Sequence, residues 1–178
     1  FEKAVEVLVW AYAAAFPGGN LEALAEVSKA ADAMVAVGGE DELMHVPRAL
    51  GALARTLEGK PPPGDDEREQ SFVWASSSDD PELVYLVAAA LGLMGDDQRF
   101  GALLDRAVSL ARARGELGAL VQGLTARALR HAFLQHRFDA AARAGEESLR
   151  FARELGAVNI GTMSLCVLAY VAAIRGDD

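Results

Sequence analysis

Apolar residues recur along this chain at the three-and-four spacing of helix faces, and clusters of Gly, Pro and Asp separate the segments that carry them. This punctuation predicts eight main helices. The first covers residues 2–16 and stops at Pro17-Gly18-Gly19; the second takes Asn20 as N-cap and ends before Gly38-Gly39; the third covers 41–57. Asp80 before Pro81 marks the start of the fourth, 81–94: the carboxylate can satisfy first-turn amides, and proline lacks an amide that would go unpaired there. Four more are predicted at 97–114, 116–136, 138–155 and 158–174, with connections so short that neighbours must run antiparallel.

The stretch between the third and fourth helices reads differently. Pro61, Pro62 and Pro63 forbid helix, and Ser76-Ser77-Ser78 marks another break, so only 67–74 is left as a short helical segment. The chain is therefore read as one helical-repeat domain, 1–178, with a loop-rich break near 58–80 between an N-terminal helical block and a C-terminal repeat block. Few buried contacts are expected in this break, which makes it the most mobile part unless Phe72 and Trp74 anchor it.

The C-terminal half matches itself when shifted by 41 residues. Leu110-Ala111-Arg112 falls on Phe151-Ala152-Arg153, Gly115 on Gly156, Leu124 on Leu165 and Ala128 on Ala169. One helical hairpin cannot bury its apolar face alone, and stacking like units makes a continuous core. The expected architecture is all-α, a tetratricopeptide-like α-solenoid of stacked antiparallel helical hairpins, with Leu124 and Leu165 in equivalent buried sites. Ala126, Ala128, Ala140, Ala141, Ala142, Ala144 and Ala169 mark the expected close contacts. An irregular helical bundle is the plainer alternative.

Composition narrows the function. Hydrophobic residues make up 52% and aromatics 7%, with Ala and Leu prominent, which favours helix over strand. Lys plus Arg number 17 against 26 Asp plus Glu, a net charge of −9, the wrong sign for a phosphate backbone, so no direct nucleic-acid contact is expected. The single cysteine, Cys166, fits a reducing compartment and is read as core; with no leader pattern at the N-terminus, the expected location is cytoplasmic. The longest clear apolar run, 83–94, falls short of the roughly 20 residues that cross a bilayer, so no membrane role is expected. Phe1 in place of Met, and a closing Gly176-Asp177-Asp178, suggest a piece of a longer parent chain.

Residues 100–107 (Phe-Gly-Ala-Leu-Leu-Asp-Arg-Ala), 110–115 (Leu-Ala-Arg-Ala-Arg-Gly) and 147–156 (Glu-Ser-Leu-Arg-Phe-Ala-Arg-Glu-Leu-Gly) carry a family likeness. The chain here resembles the tetratricopeptide-like region of large LuxR-type ATP-binding bacterial transcriptional regulators, the class of the maltose-regulon activator. The resemblance covers about 96–178. It implies a regulatory sensor or interaction module between a nucleotide-binding and a helix-turn-helix domain. Neither of those activities carries over, because no phosphate-loop pattern surrounds Gly59-Lys60 and no basic recognition helix is present.

The candidate chemistry is sparse. His131 and His136 are five apart and turn to different helix faces, so no metal and no cofactor are expected. Asp65, Asp66, Glu67 and Glu69 read as solvating charges rather than tuned acids, and no catalytic residue is assigned. Arg112, Arg114, Arg150 and Arg153 suit the helix C-termini they occupy. Arg127, Arg130 and Tyr170 are the candidates for a ligand- or partner-binding groove, against the plainer reading of a solvated face. The expectation is a non-enzymatic module that binds a protein partner or small-molecule effector and signals to neighbouring domains of the parent chain. The alternative is a structural spacer or dimerisation scaffold, and whether the chain forms a homodimer stays open.

Overall fold

The computed structural model describes residues 2–15, 20–38, 44–57, 59–61 and 63–176. Among these, the helices are α1 (Glu2–Ala15), α2 (Leu21–Gly38), α3 (His45–Leu57), α4 (Asp65–Ser77), α5 (Pro81–Leu93), α6 (Asp97–Arg114), α7 (Leu117–Leu129), α8 (Phe138–Leu155) and α9 (Val158–Arg175). A π-helical turn, Arg130–Leu134, continues α7. The described residues contain no strand, and the protein is all-α. Its contacts divide it into two compact units, 1–103 and 104–178, and the boundary falls inside α6.

The helix starts follow the local chemistry. Asn20 Oδ1 accepts from the Ala23 amide at 3.0 Å, and Asp80 Oδ1 accepts from the amides of Glu82 (2.9 Å) and Leu83 (3.1 Å), with Pro81 at the first helical position. The stops expected at Pro17-Gly18-Gly19 and Gly39, and the start expected at Asp41, lie outside the described residues. Gly115 and Gly156 close α6 and α8 at φ +70° and +67°, a left-handed conformation that glycine adopts without steric cost.

In the first unit α3 is the central element, packed against α2, α4 and α5. Leu50 and Leu53 of α3 are fully buried, as are Val84, Val87 and Leu91 of α5. The segment 67–74 belongs to a longer helix, α4, and its ends are tied down. Arg99 receives Asp65 (2.9 Å) and Asp96 (2.6 Å) on one guanidinium nitrogen and Glu69 on the others (2.8 and 2.9 Å). Asp96 also caps α6 through the Arg99 amide at 3.1 Å. Arg55 meets Asp32 at 2.7 Å and Glu67 at 3.3 Å, and the Trp74 ring stacks on His45 with centroids 5.3 Å apart. Asp65 and Glu69 therefore bind a cation rather than simply solvate a loop. The Arg99 hydrogen bond and charge hold the Asp65 carboxyl below its ordinary range.

In the second unit α7, α8 and α9 pack on one another. Ala128 of α7 and Ala132 of the π turn cluster with Ala141 and Ala144 of α8, and Val167 and Val171 of α9 complete the cluster. The side chains that bring three helices this close are small, as packing of helix on helix requires. Gly123 is part of the same economy: a Cβ there would lie 2.7 Å from Val108 Cγ2. A buried triangle of hydroxyls joins the three helices, with Thr125 Oγ1 2.7 Å from Ser148 Oγ and 3.1 Å from Ser164 Oγ, and the two serines 3.1 Å apart. Carbonyls lie within reach as alternative acceptors for the three hydroxyl protons: Val121 O for Thr125 and Ser148, and Ile160 O for Ser164.

The 41-residue period holds at the level of elements, since α6 and α8 begin and end one period apart, and so do α7 with its π turn and α9. Burial does not follow it. Leu124 is 1% exposed and Leu165 is 48% exposed, so the two do not occupy equivalent buried sites. Leu124 lies in a cluster with Val108 and Ala111 of α6 and with Phe151 of α8, whereas Leu165 points away from the cluster that α9 shares with α7 and α8. Cys166, expected in the core, is exposed for the same reason. Among the alanines named as contacts, Ala128, Ala141 and Ala144 are buried, Ala126, Ala140 and Ala142 are partly so, and Ala169 is exposed.

Leu124→Asp is expected to destabilise the protein by about 3 kcal/mol or more, because it buries an unpaired charge, whereas Leu165→Asp changes stability by less than about 1 kcal/mol. Denaturant unfolding of the two variants separates them. Because Asp65 has its pKa depressed in the folded state, its contribution is fully present above the unfolded value of 3.8 and is lost as the pH falls through the folded one. Asp65→Asn should therefore lower the unfolding midpoint at neutral pH, with the gap to the unmutated chain closing as the pH drops below 3.8.

Candidate functional site

The described chain has an open hollow of about 470 Å³ in the second unit, where the start of α8 lies beside the end of α9. His136, Arg137, Phe138, Asp139, Ala140, Arg143 and Arg175 line it. The antiparallel packing of α8 on α9 brings these residues together, setting Asp139 against Arg175 in an ion pair across the mouth. Among the described residues neither Arg137 nor Arg143 makes an ion pair. Both are exposed, and the first amides of α8 have no side-chain cap from Arg137. The hollow thus combines two uncommitted guanidinium groups and a helix N-terminus, all positive, with an imidazole beside them and the Asp139 carboxylate paired to Arg175, in a chain of net charge −9.

One wall is aromatic. Phe138 sits 6.2 Å from the His136 ring and 6.4 Å from Tyr170, and Tyr170 in turn contacts Phe133 at 4.6 Å between centroids. The backbone leading in is unusual on two counts. The last turn of α7 widens to π geometry over Arg130–Leu134, and His136 has φ +52°, the one described non-glycine residue with positive φ. The Arg137 amide donates to His131 O at 2.8 Å and the Gln135 amide to Arg130 O at 3.1 Å, which fixes this turn.

The three sequence candidates do not converge on one ligand position. Arg127 is held by Asp105 of α6 at 2.7 Å. Arg130 serves the turn: with the Gln135 amide oriented so that its nitrogen faces His131 Nδ1 at 2.7 Å, its oxygen accepts from both terminal nitrogens of Arg130 at 2.7 and 2.9 Å. Tyr170 borders the hollow through Phe138. Arg137, Arg143 and Arg175 were not singled out by the sequence, because the contact between residues 36 apart depends on how α8 and α9 align. The one legible signal was the density of basic residues around 136–143, set against an acidic chain. Arg112 adds an ion pair to Glu147 at 2.7 Å, and Arg150 lies 4.8 Å over the Phe151 ring, so both act on side chains and not only on helix dipoles.

The arrangement can hold an anion with an apolar or aromatic portion. Guanidinium groups bind carboxylate or phosphate through charge-assisted hydrogen bonds, and the Phe138 ring that lines the hollow offers a stacking face. Among the described residues no three His, Cys, Asp or Glu side chains come together as a metal set. Comparison with protein families, curated proteins and solved structures gives no match in any of the three.

His136→Gly is expected to raise stability by about 0.5–1 kcal/mol, because glycine relieves the left-handed strain at this position and loses part of that gain to its freer unfolded state. A shift of the urea midpoint to higher concentration checks it.

Proposed function

We propose that this chain is a non-catalytic regulatory module that binds a small anionic effector in the hollow at the start of α8. The single observation that carries the reading is the convergence of Arg137, Arg143 and His136 on an open, aromatic-walled cavity in an acidic chain. Nothing in that set needs to move a proton or attack a substrate; its residues attract, orient and stack. The recurrence of helix bounds at 41 residues supports reading the architecture as a tetratricopeptide-like solenoid of stacked hairpins. On that architecture, and on the family likeness of 96–178, we place the module in a LuxR-type transcriptional regulator acting in the cytoplasm, with occupancy passed to neighbouring domains of the parent chain. A structural spacer or dimerisation scaffold is the second reading, and the exposed apolar residues of α9 favour its structural form.

Calorimetric titration and thermal shift against a panel of carboxylate and phosphate metabolites test the effector reading. A ligand at a hundred times its Kd should stabilise the fold by about 2.7 kcal/mol. Arg143→Glu should weaken that binding tenfold or more while leaving the melting temperature of the free protein unchanged. A panel with no anionic binder, or a binder indifferent to both Arg143→Glu and Arg137→Glu, sinks the reading.

A further inference from the structure

The side of α9 turned away from α8 is apolar and open. From Val158 to Ile174 the helix carries no charged residue, yet only Gly161, Ser164, Val167 and Val171 are buried. Val158 is 75% exposed, Leu165 48% and Ile174 53%. Val158, Thr162, Leu165, Cys166, Ala169 and Ala173 form one continuous stripe at i, i+4, i+7, i+8, i+11 and i+15, and every one of them is exposed. With a mean hydropathy of 1.5 over its 18 residues, α9 is also long and apolar enough, by length and composition, to cross a membrane, which the shorter run at 83–94 is not.

The repeat says what such a stripe is for. One period earlier the same positions are Leu117, Val121, Leu124, Thr125, Ala128 and Ala132 of α7 and its π turn; Leu117 is partly buried and the other five are buried. What covers them is largely α8, running antiparallel: Ala141 and Ala144 share a cluster with Ala128 and Ala132, Ser148 meets Thr125, and Phe151 packs on the cluster that holds Leu124. A terminal repeat that faces water carries a polar outer surface, and α9 does not.

We propose that the open stripe of α9 seats a further repeat helix carried by the parent chain, antiparallel to α9 and built like α8. Its contact face has small side chains at i, i+3 and i+7 and an aromatic at i+10, the pattern of Ala141, Ala144, Ser148 and Phe151. A free second copy is a poorer occupant. The stripe is about 22 Å long and about 10 Å wide, far short of the ~800 Å² per partner of a stable dimer, so a tethered helix held at high effective concentration fits it better. Insertion of α9 across a membrane is disfavoured because its opposite face commits Ser164 to the buried hydroxyl triangle. The proposal rests on the interaction-module reading, but it involves none of the residues that line the hollow.

The test extends the chain. The sequence of α8 is appended directly after Asp178, where the period places its first residue, and a scrambled helix of equal composition serves as control. The exposed Cys166 thiol is the reporter. The α8 sequence should slow Cys166 labelling by a thiol reagent tenfold or more and raise the melting temperature. The scrambled helix should do neither, and Leu165→Glu in the extended chain should restore fast labelling, with circular dichroism confirming that each variant is folded. Equal labelling rates with the α8 and scrambled extensions overturn the proposal. So does protection of Cys166 in the unextended chain, whether in a concentration-dependent dimer, which gives the stripe to a second copy, or only on lipid vesicles, which gives it to a membrane. Effector titration of the extended chain reads the hollow separately, so loss of one result leaves the other standing.

Discussion

The close approach of α7, α8 and α9 is the constraint on which the second unit depends. Ala128, Ala132, Ala141 and Ala144 leave room for the helix backbones to draw together, and the Thr125–Ser148–Ser164 triangle then fixes their rotation. Burying three hydroxyls costs little when each finds partners, and a great deal when one does not. Turning α8 by a single residue would bring Glu147 or Leu149 to the place of Ser148 and leave Thr125 and Ser164 with one partner fewer. The hollow follows from this alignment, because it exists only where the start of α8 lies level with Arg175. The open stripe on α9 follows as well: four residues of that helix are spent on the contact, and the rest of an uncharged surface is left over.

Features written within a few residues of each other were legible in the sequence. The Asp80-Pro81 start, the Asn20 cap and the glycine stops at Gly115 and Gly156 are local chemistry, and each stands where the pattern put it. So is the period, which needs only that helices and turns recur. Partners far apart in the chain were not legible. Arg99 collects carboxylates from Asp65 and Glu69, 34 and 30 residues earlier, and nothing in the spacing announces it. The π turn at Arg130–Leu134 has an ordinary helical sequence, so the pattern gave no warning that the path into the hollow would bend. Leu165 shows the limit most plainly. Its side chain is the same as that of Leu124 one period before, and its burial differs because burial belongs to the neighbour and not to the residue.

The two candidate surfaces of the second unit differ in kind. The hollow is charged and aromatic, and its residues stand at helix ends, where side chains have freedom to close on a ligand. The α9 stripe is uncharged and runs along the middle of a helix, where backbone and spacing are fixed before anything arrives. Only the first is suited to discriminate among small molecules, and only the second is suited to extend a helical stack.

A three-helix contact made of alanine, valine and paired hydroxyls has a consequence for temperature. The heat-capacity change of unfolding scales with the apolar surface exposed, and polar surface lowers it. The cluster that joins α7, α8 and α9 is four alanines and two valines around a hydroxyl triangle, and it releases little apolar surface for its length of chain. This cluster therefore adds little to the heat-capacity change of the second unit and flattens a stability curve that the cluster of Leu120, Leu124 and Phe151 would otherwise sharpen.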